Sequence, residues 1–364
     1  MGAIYRNYRC YKSYILSLTL LRRLFLLRTS AKCASTLCPR FGVGCSLLSY
    51  LSSLLFYLSS LLSIFAAEKI FTMNTIQKYA RLVKFSHTIF AMPFAMLSFT
   101  YALWSAPAAE QSNPWWWLTL LVQVVLCMVF ARNVAMGFNR WADRDIDAQN
   151  PRTADREIPA GVVKPRAALI FVIINALLFI LTASTINTLT ALLSPVALAV
   201  VMVYSLCKRF TSMAHMVLGL ALGIAPVGAY IAVTGAFSLQ ACILSLGVLT
   251  WTAGFDIIYA LQDADFDRKA GLHSIPARFS PSTSLMISIA LHCVAVASLI
   301  WFATYLPQSI WTWAGVVVFA SILTLEHVLV TPTRTRHIGI AFGTLNGLAS
   351  LTLAVLVIVG MLLA

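Results

Sequence analysis

Acidic residues are scarce in this chain of 364 residues, and their placement suggests chemistry. Only 12 residues are Asp or Glu, and nine of the 11 that follow Met73 fall in two short windows, Asp143 to Glu157 and Asp256 to Asp267. In the first window and its approach, Arg132, Asn139, Asp143 and Asp147 are separated by seven, four and four residues. In the second, Asp256, Tyr259, Asp263 and Asp267 are separated by three, four and four. On a helix each set projects from one face. Unpaired carboxylates are costly in apolar surroundings and like charges repel, so each stripe needs a counter-charge. Magnesium takes oxygen ligands and is typically held by one or two carboxylates together with substrate phosphate oxygens. Two stripes facing each other would hold a diphosphate between them through Mg2+. Arg152, Arg156, Lys208 and Arg209 are the basic residues available for the remaining phosphate oxygens. One DxxxD at a helix end is common on solvated surfaces. Two copies about 120 residues apart, in a chain with almost no other acids, point to function.

The elements that must position these stripes are membrane helices. The chain is 60% hydrophobic and 10% charged, against roughly 45–50% and about 25% in soluble domains, which excludes a soluble globule. Nearly charge-free blocks such as Trp115 to Ala131, Ala167 to Ser184, Leu239 to Phe255 and Ile338 to Ala364 approach the length of about 20 helical residues that crosses a bilayer. They lack the alternation of barrel strands, so helices are the consistent spanning structure. Nine spans are predicted, beginning near Phe85, Trp115, Ala167, Leu189, Met216, Leu239, Leu285, Ile310 and Ile338. The fold class is an all-α membrane protein, a bundle of nine transmembrane helices. Loops after the even-numbered spans, with Lys78, Arg81 and Lys84 before the first span, carry 16 basic residues, and loops after the odd-numbered spans carry none. The positive-inside rule then places both acidic windows on the cytoplasmic face and the carboxyl terminus outside.

The formal charge of +14 does not point to nucleic acid, since nine of the 26 basic residues precede Met73 and the rest serve topology. Eight cysteines without CxxC spacing predict neither a disulfide framework nor a zinc site. Residues 1–72 form a basic, Ser/Leu-rich extension with no acid before Glu68. It reads as an over-long start, a leader or an extra helix, and residues 73–364 as the functional domain. The Trp115-Trp116-Trp117 run suits an interfacial belt, and Gly219, Gly223 and Gly228 suit close packing of the fifth span. Lys84 and His87 either line a cavity or are structural, and His215, His273, His292, His327 and His337 show no ligand spacing.

From about Lys78 to Ala364 the chain resembles the UbiA superfamily of membrane-embedded prenyltransferases. The resemblance rests on NxxxDxxxD at Asn139, Asp143 and Asp147 and on DxxYxxxDxxxD from Asp256 to Asp267. Supporting similarity lies in Asn150-Pro151-Arg152-Thr153, in Arg156 to Gly161, and in Tyr204 to Arg209. It implies a bundle around a central cavity, lateral access from membrane lipid, and two magnesium ions bridging the Asp-rich motifs and a polyprenyl diphosphate. The run from Asp256 to Phe279 is most similar to the 4-hydroxybenzoate polyprenyltransferase branch. That implies an aromatic acid acceptor in quinone biosynthesis, with a dihydroxynaphthoate of menaquinone biosynthesis as the alternative, and a bacterial inner-membrane location.

On that resemblance Asn139, Asp143, Asp147, Asp263 and Asp267 are expected to hold the metal, and Lys208, Arg156 and Arg152 to neutralise the leaving diphosphate. Tyr259 is a candidate to face an allylic cation, or else packs at the interface. Asp256 either orients the acceptor phenol or receives its ring proton, or pairs with a neighbouring helix. Arg132 either binds the acceptor carboxylate or makes a structural salt bridge or second diphosphate contact. A cation-coupled transporter is the rival class, and it predicts acids along a transmembrane path rather than at one end.

Overall fold

The computed structural model describes residues 75–83, 90–106, 114–332, 336 and 338–364. The extension of residues 1–72, Lys84, His87, Arg334 and His337 lie outside them. The described chain is helical throughout its length: α1 Thr75–Leu82, α2 Met92–Ser105, α3 Pro114–Ala142, α4 Arg144–Gln149, α5 Pro165–Ser184, α6 Thr188–Cys207 and α7 Ala214–Thr234. It continues with α8 Leu239–Ala260, α9 Ala264–Lys269, α10 Ile275–Arg278, α11 Pro281–Thr304, α12 Ile310–Leu329 and α13 Ile338–Leu363.

Among the described residues eight helices, α3, α5, α6, α7, α8, α11, α12 and α13, are long and apolar enough to cross a membrane. The protein is an integral membrane protein of the expected helical class. α2 stands where the first span was expected but has 14 residues. At 1.5 Å per residue that is about 21 Å, short of a hydrocarbon core of about 30 Å. Its approach, residues 84–89, is outside the described chain.

Helix starts follow local chemistry. Pro165 and Pro281 open α5 and α11, where a missing N–H is harmless. Asn187, Ser238, Ser280 and Ser309 cap α6, α8, α11 and α12 through their side chains. α8 is the central helix: it packs on α7 and α11, and 72% of its most apolar stretch is buried inside the protein, far more than in α5 or α6. Its Trp251 and Phe255 interlock with Phe94, Phe319 and Phe342. The flanking α5 turns Ile170, Ile173, Leu177 and Leu181 outward, as a lipid-facing helix should.

Without a hydrophobic drive between helices in lipid, close approach of backbones supplies the packing. Gly219 and Gly223 of α7 lie against the Leu249 and Ser245 carbonyls of α8, and Ser245 Oγ donates to the Gly223 carbonyl at 2.5 Å. Gly228 differs from expectation: a side chain added there would meet open space, so no neighbouring helix requires its small size. The four cysteines in the described chain, Cys127, Cys207, Cys242 and Cys293, are free.

Gly219→Ala should therefore destabilise the bundle by about 1–3 kcal/mol, the range of an overpacked contact, whereas Gly228→Ala should be close to neutral. Thermal unfolding in detergent separates the two, with a lower midpoint expected only for Gly219→Ala.

Candidate functional site

The two Asp-rich motifs meet at one end of the bundle, where α3 and α8 give way to the short helices α4 and α9. α3 stops at Ala142, yet spacing by four continues across the break: Asp143 N–H donates to the Asn139 carbonyl at 3.0 Å and Asp147 N–H to that of Asp143 at 2.7 Å. Asn139, Asp143 and Asp147 thus stay on one ridge, with Asn139 Nδ2 donating to Asp143 Oδ2 at 3.1 Å.

The second stripe departs from a straight helix. After Ala260, the N–H groups of Leu261, Gln262 and Asp263 donate three residues back, and four-residue spacing resumes only at Asp267 N–H to Asp263 O, 2.8 Å. Such tightening is common where a helix ends. Tyr259 and Asp263 nonetheless share one partner, Arg152. Asp263 is held by residues just after the first motif, Asp267 by Ser274 and Lys208, and Asp256 by His215 of α7.

Each carboxylate has a positive or hydrogen-donating partner. Asp143 Oδ1 accepts from Arg209 Nη2 at 3.3 Å, and the same nitrogen reaches the Ala142 carbonyl at 2.6 Å. Asp147 accepts both its bonds from Arg156 Nη1, at 2.7 and 2.9 Å, with buried Arg140 4.0 Å away. Asp263 is gripped by Arg152, whose Nε donates to Oδ1 at 2.7 Å and whose Nη2 bonds Oδ2. Asn150 Nδ2 adds a bond to Oδ1 at 3.1 Å. Asp267 accepts from Ser274 Oγ at 2.8 Å and has Lys208 Nζ at 3.9 Å. Asp256 Oδ2 lies 2.7 Å from His215 Nδ1.

These bonds cross between motifs. Asn150 and Arg152, just after the first motif, hold Asp263 of the second. Lys208 and Arg209, adjacent at the end of α6, reach Asp267 and Asp143 respectively. Arg152 also donates to Tyr259 OH at 2.8 Å, with its guanidinium 5.2 Å from that ring's centre. The Tyr259 ring stacks on Phe342 at 4.2 Å.

Burial pushes the Asp143 carboxyl above its ordinary value, and Asp147 nearby adds to this against the Arg209 hydrogen bond. Asp263 goes the other way. Burial alone would raise it, but the Arg152 and Asn150 bonds prevail and hold it below the usual range. Burial also works against the charge of Arg152, and its bonds to Asp263 and Tyr259 raise its pKa regardless.

Arg132, deeper in α3, is the exception to pairing. Its Nε is buried with no hydrogen-bond partner, and it forms no ion pair among the described residues, so a structural salt bridge has no partner there. Four groups at the site escaped assignment from sequence. Arg140 lies seven residues before Asp147, a same-face spacing that was readable. Asn150, Ser274 and His215 reach their partners through tertiary packing or an irregular turn, and periodicity does not show them.

The donor set suits a hard cation. No three His, Cys, Asp or Glu groups converge as a ready cage among the described residues. Oxygen ligands are supplied instead in pairs by each motif, which fits magnesium completed by phosphate oxygens. Basic residues lie beside each pair, bonded to its carboxylates.

A model of the UbiA prenyltransferase family matches residues 97–352. A 4-hydroxybenzoate octaprenyltransferase of Actinobacillus pleuropneumoniae is 31% identical over 269 residues, covering 73% of this chain and 88% of that protein. One of Citrobacter koseri is 35% identical over 220 residues, 60% of this chain and 73% of the relative. A solved apo UbiA homologue from Aeropyrum pernix K1 superposes with a TM-score of 0.62 at 29% identity, over 76% of this chain and 97% of that one. A UbiA homologue from Archaeoglobus fulgidus bound to GPP and Mg2+ gives a TM-score of 0.57 at 20% identity, over 77% and 99% of the two chains, a likeness of fold.

A carboxyl raised by burial must lose its proton before it can bind a cation. Affinity for Mn2+ in the presence of a prenyl diphosphate should therefore rise with pH through the upper carboxylate range and flatten above it. Asp143→Asn should weaken binding and remove most of that slope. Calorimetric titration at several pH values checks both, and a slope unchanged by Asp143→Asn would contradict the assignment.

Proposed function

The chain belongs to the UbiA prenyltransferase family, and from that premise we propose that it transfers a polyprenyl group from a polyprenyl diphosphate to an aromatic acid of the 4-hydroxybenzoate type. The observation that carries this reading is the cross-linking of two Asp-rich motifs by Asn150, Arg152, Lys208 and Arg209 at one bundle end. A transporter would spread its acids across the bundle. The named activity of relatives at 31–35% identity supports the acceptor class.

Asn139, Asp143, Asp147, Asp263 and Asp267 would hold magnesium. When bound, the metal supplies positive charge where the leaving diphosphate becomes negative. Arg152, Arg156, Lys208 and Arg209 add theirs, exchanging carboxylate oxygens for phosphate oxygens of like geometry. Scission of the allylic C–O bond sends its electron pair to the diphosphate. Tyr259, whose ring already carries a guanidinium, is suited to positive charge on the allylic carbon.

The ring carbon ortho to the acceptor hydroxyl supplies the electron pair of the new C–C bond. The hydrogen on that carbon leaves as a proton to Asp256 and passes on to water, restoring aromaticity. Arg132, whose Nε is buried without a hydrogen-bond partner among the described residues, offers a fork to the acceptor carboxylate. Polyprenyl tails of any length would lie in lipid beside the bundle. The site would face the cytoplasm of a bacterial inner membrane.

Purified protein with magnesium, a polyprenyl diphosphate and 4-hydroxybenzoate should form the prenylated acid, with a dihydroxynaphthoate run in parallel to discriminate acceptors. Asp143→Ala and Asp263→Ala should each lose at least about 100-fold in turnover. Full turnover in either would refute the metal assignment. Arg132→Ala should raise KM for the acceptor about tenfold or more and leave KM for the diphosphate within about threefold. The reverse pattern would make Arg132 a diphosphate contact.

A further inference from the structure

His215 opens α7 and is fully buried, although no local spacing marks it as functional. Both of its ring nitrogens are engaged, and their partners fix its protonation. Ile275 N–H points to Nε2 at 3.3 Å. A backbone N–H can only donate, so Nε2 must be the bare, accepting nitrogen. The proton of the neutral ring then sits on Nδ1, 2.7 Å from Asp256 Oδ2, and can only be donated to that carboxylate. A hydrogen on Nε2 would set two donors face to face.

We infer that His215 is a positioning residue that aims the Asp256 carboxylate at the acceptor through a tautomer imposed by Ile275 N–H. The inference rests on the role proposed above for Asp256. The geometry matches the task. Asp256 Oδ2 is held by His215, while the Asp256 side chain keeps 19% of its surface open, and Oδ1 has no bond to His215 and is the oxygen left for the acceptor. His215 itself takes no proton during turnover, because its Nδ1 is already protonated and its Nε2 is occupied. The same contact reaches the metal side of the site. Ile275 follows Ser274, whose hydroxyl donates to Asp267 Oδ2 at 2.8 Å. One imidazole thus fastens α7 both to α8 and to the turn beside Asp267.

His215→Leu should lower kcat at least tenfold and leave KM for the prenyl diphosphate within about threefold, since acid–base groups contribute about 10²–10⁴-fold. His215→Asn keeps an amide N–H near the position of Nδ1 and should recover most of that loss. Asp256→Asn should be strongly impaired, and His215→Leu added to it should slow it by no more than about threefold, because the two act as one unit. Independent, multiplicative losses would show a merely structural histidine and overturn the inference. So would normal kcat in His215→Leu beside an impaired Asp256→Asn, a result that leaves the role of Asp256 standing. Normal turnover in Asp256→Asn would instead remove that role and the inference with it. Nitrogen-15 spectra of the histidine-labelled wild-type protein give a readout that needs no variant to fold. They should show His215 as the neutral Nδ1–H tautomer, and the Nε2–H form or an imidazolium would overturn the inference.

Discussion

Buried carboxylates at the rim of an apolar bundle demand counter-charge, and the rest of the site follows from how that demand is met. Asp147, Asp263 and Asp267 are almost wholly buried. A lone carboxylate in such a place would be severely destabilising. Each is answered by a cation or a hydrogen-bond donor, and several partners come from the opposite motif or another helix. The pairing that makes burial tolerable therefore also ties the two halves of the bundle together.

The scaffold is arranged around that rim. α8, mostly buried, delivers Asp256 and Tyr259, and a tightened turn after it leads to Asp263, which Asn150 and Arg152 hold. α7 lies close enough to α8 for His215 to reach Asp256, and Gly219 and Gly223 allow that approach. On the far side Phe342 backs the Tyr259 ring. It sits in a wide turn of α13, residues Ala341–Leu345, whose Ala341 carbonyl is taken by Asn346 Nδ2 at 3.0 Å. Asn346 in turn bonds Glu326 and Trp251, so a polar network inside the bundle supports an aromatic contact at its rim.

Much of this was legible in the sequence because its signals are local. Apolar blocks with few charges give the spans, and eight observed helices begin within four residues of the expected starts. The scarcity of acids made the two motifs stand out. Asn139, Asp143 and Asp147 keep their expected ridge because backbone spacing survives the break at Ala142. Spacing fails where the backbone departs from the α-helix. At residues 261–263 the backbone tightens to three-residue bonds, and Asp256 and Asp263 take partners from different elements. Gly228 fails as a packing residue because small size permits a close approach without causing one. His215 and Asn150 could not be read, since their partners lie 41 and 113 residues away and no periodic pattern links them. Glu326 and Asn346 stood in apolar blocks with nothing to pair them until α12 and α13 were placed side by side.

The proposed exchange of internal counter-charge for metal and phosphate is tested most directly in crystals of the protein grown with Mn2+ and geranyl thiodiphosphate. Anomalous diffraction should show two manganese peaks bridged by the diphosphate, one against Asp143 and Asp147 and the other against Asp263 and Asp267. Arg152 and Lys208 should then have left their carboxylates for phosphate oxygens. Manganese confined to the bundle exterior, or a diphosphate bound while all five ion pairs of Asp143, Asp147, Asp263 and Asp267 with Arg140, Arg152, Arg156, Lys208 and Arg209 persist unchanged, would contradict it.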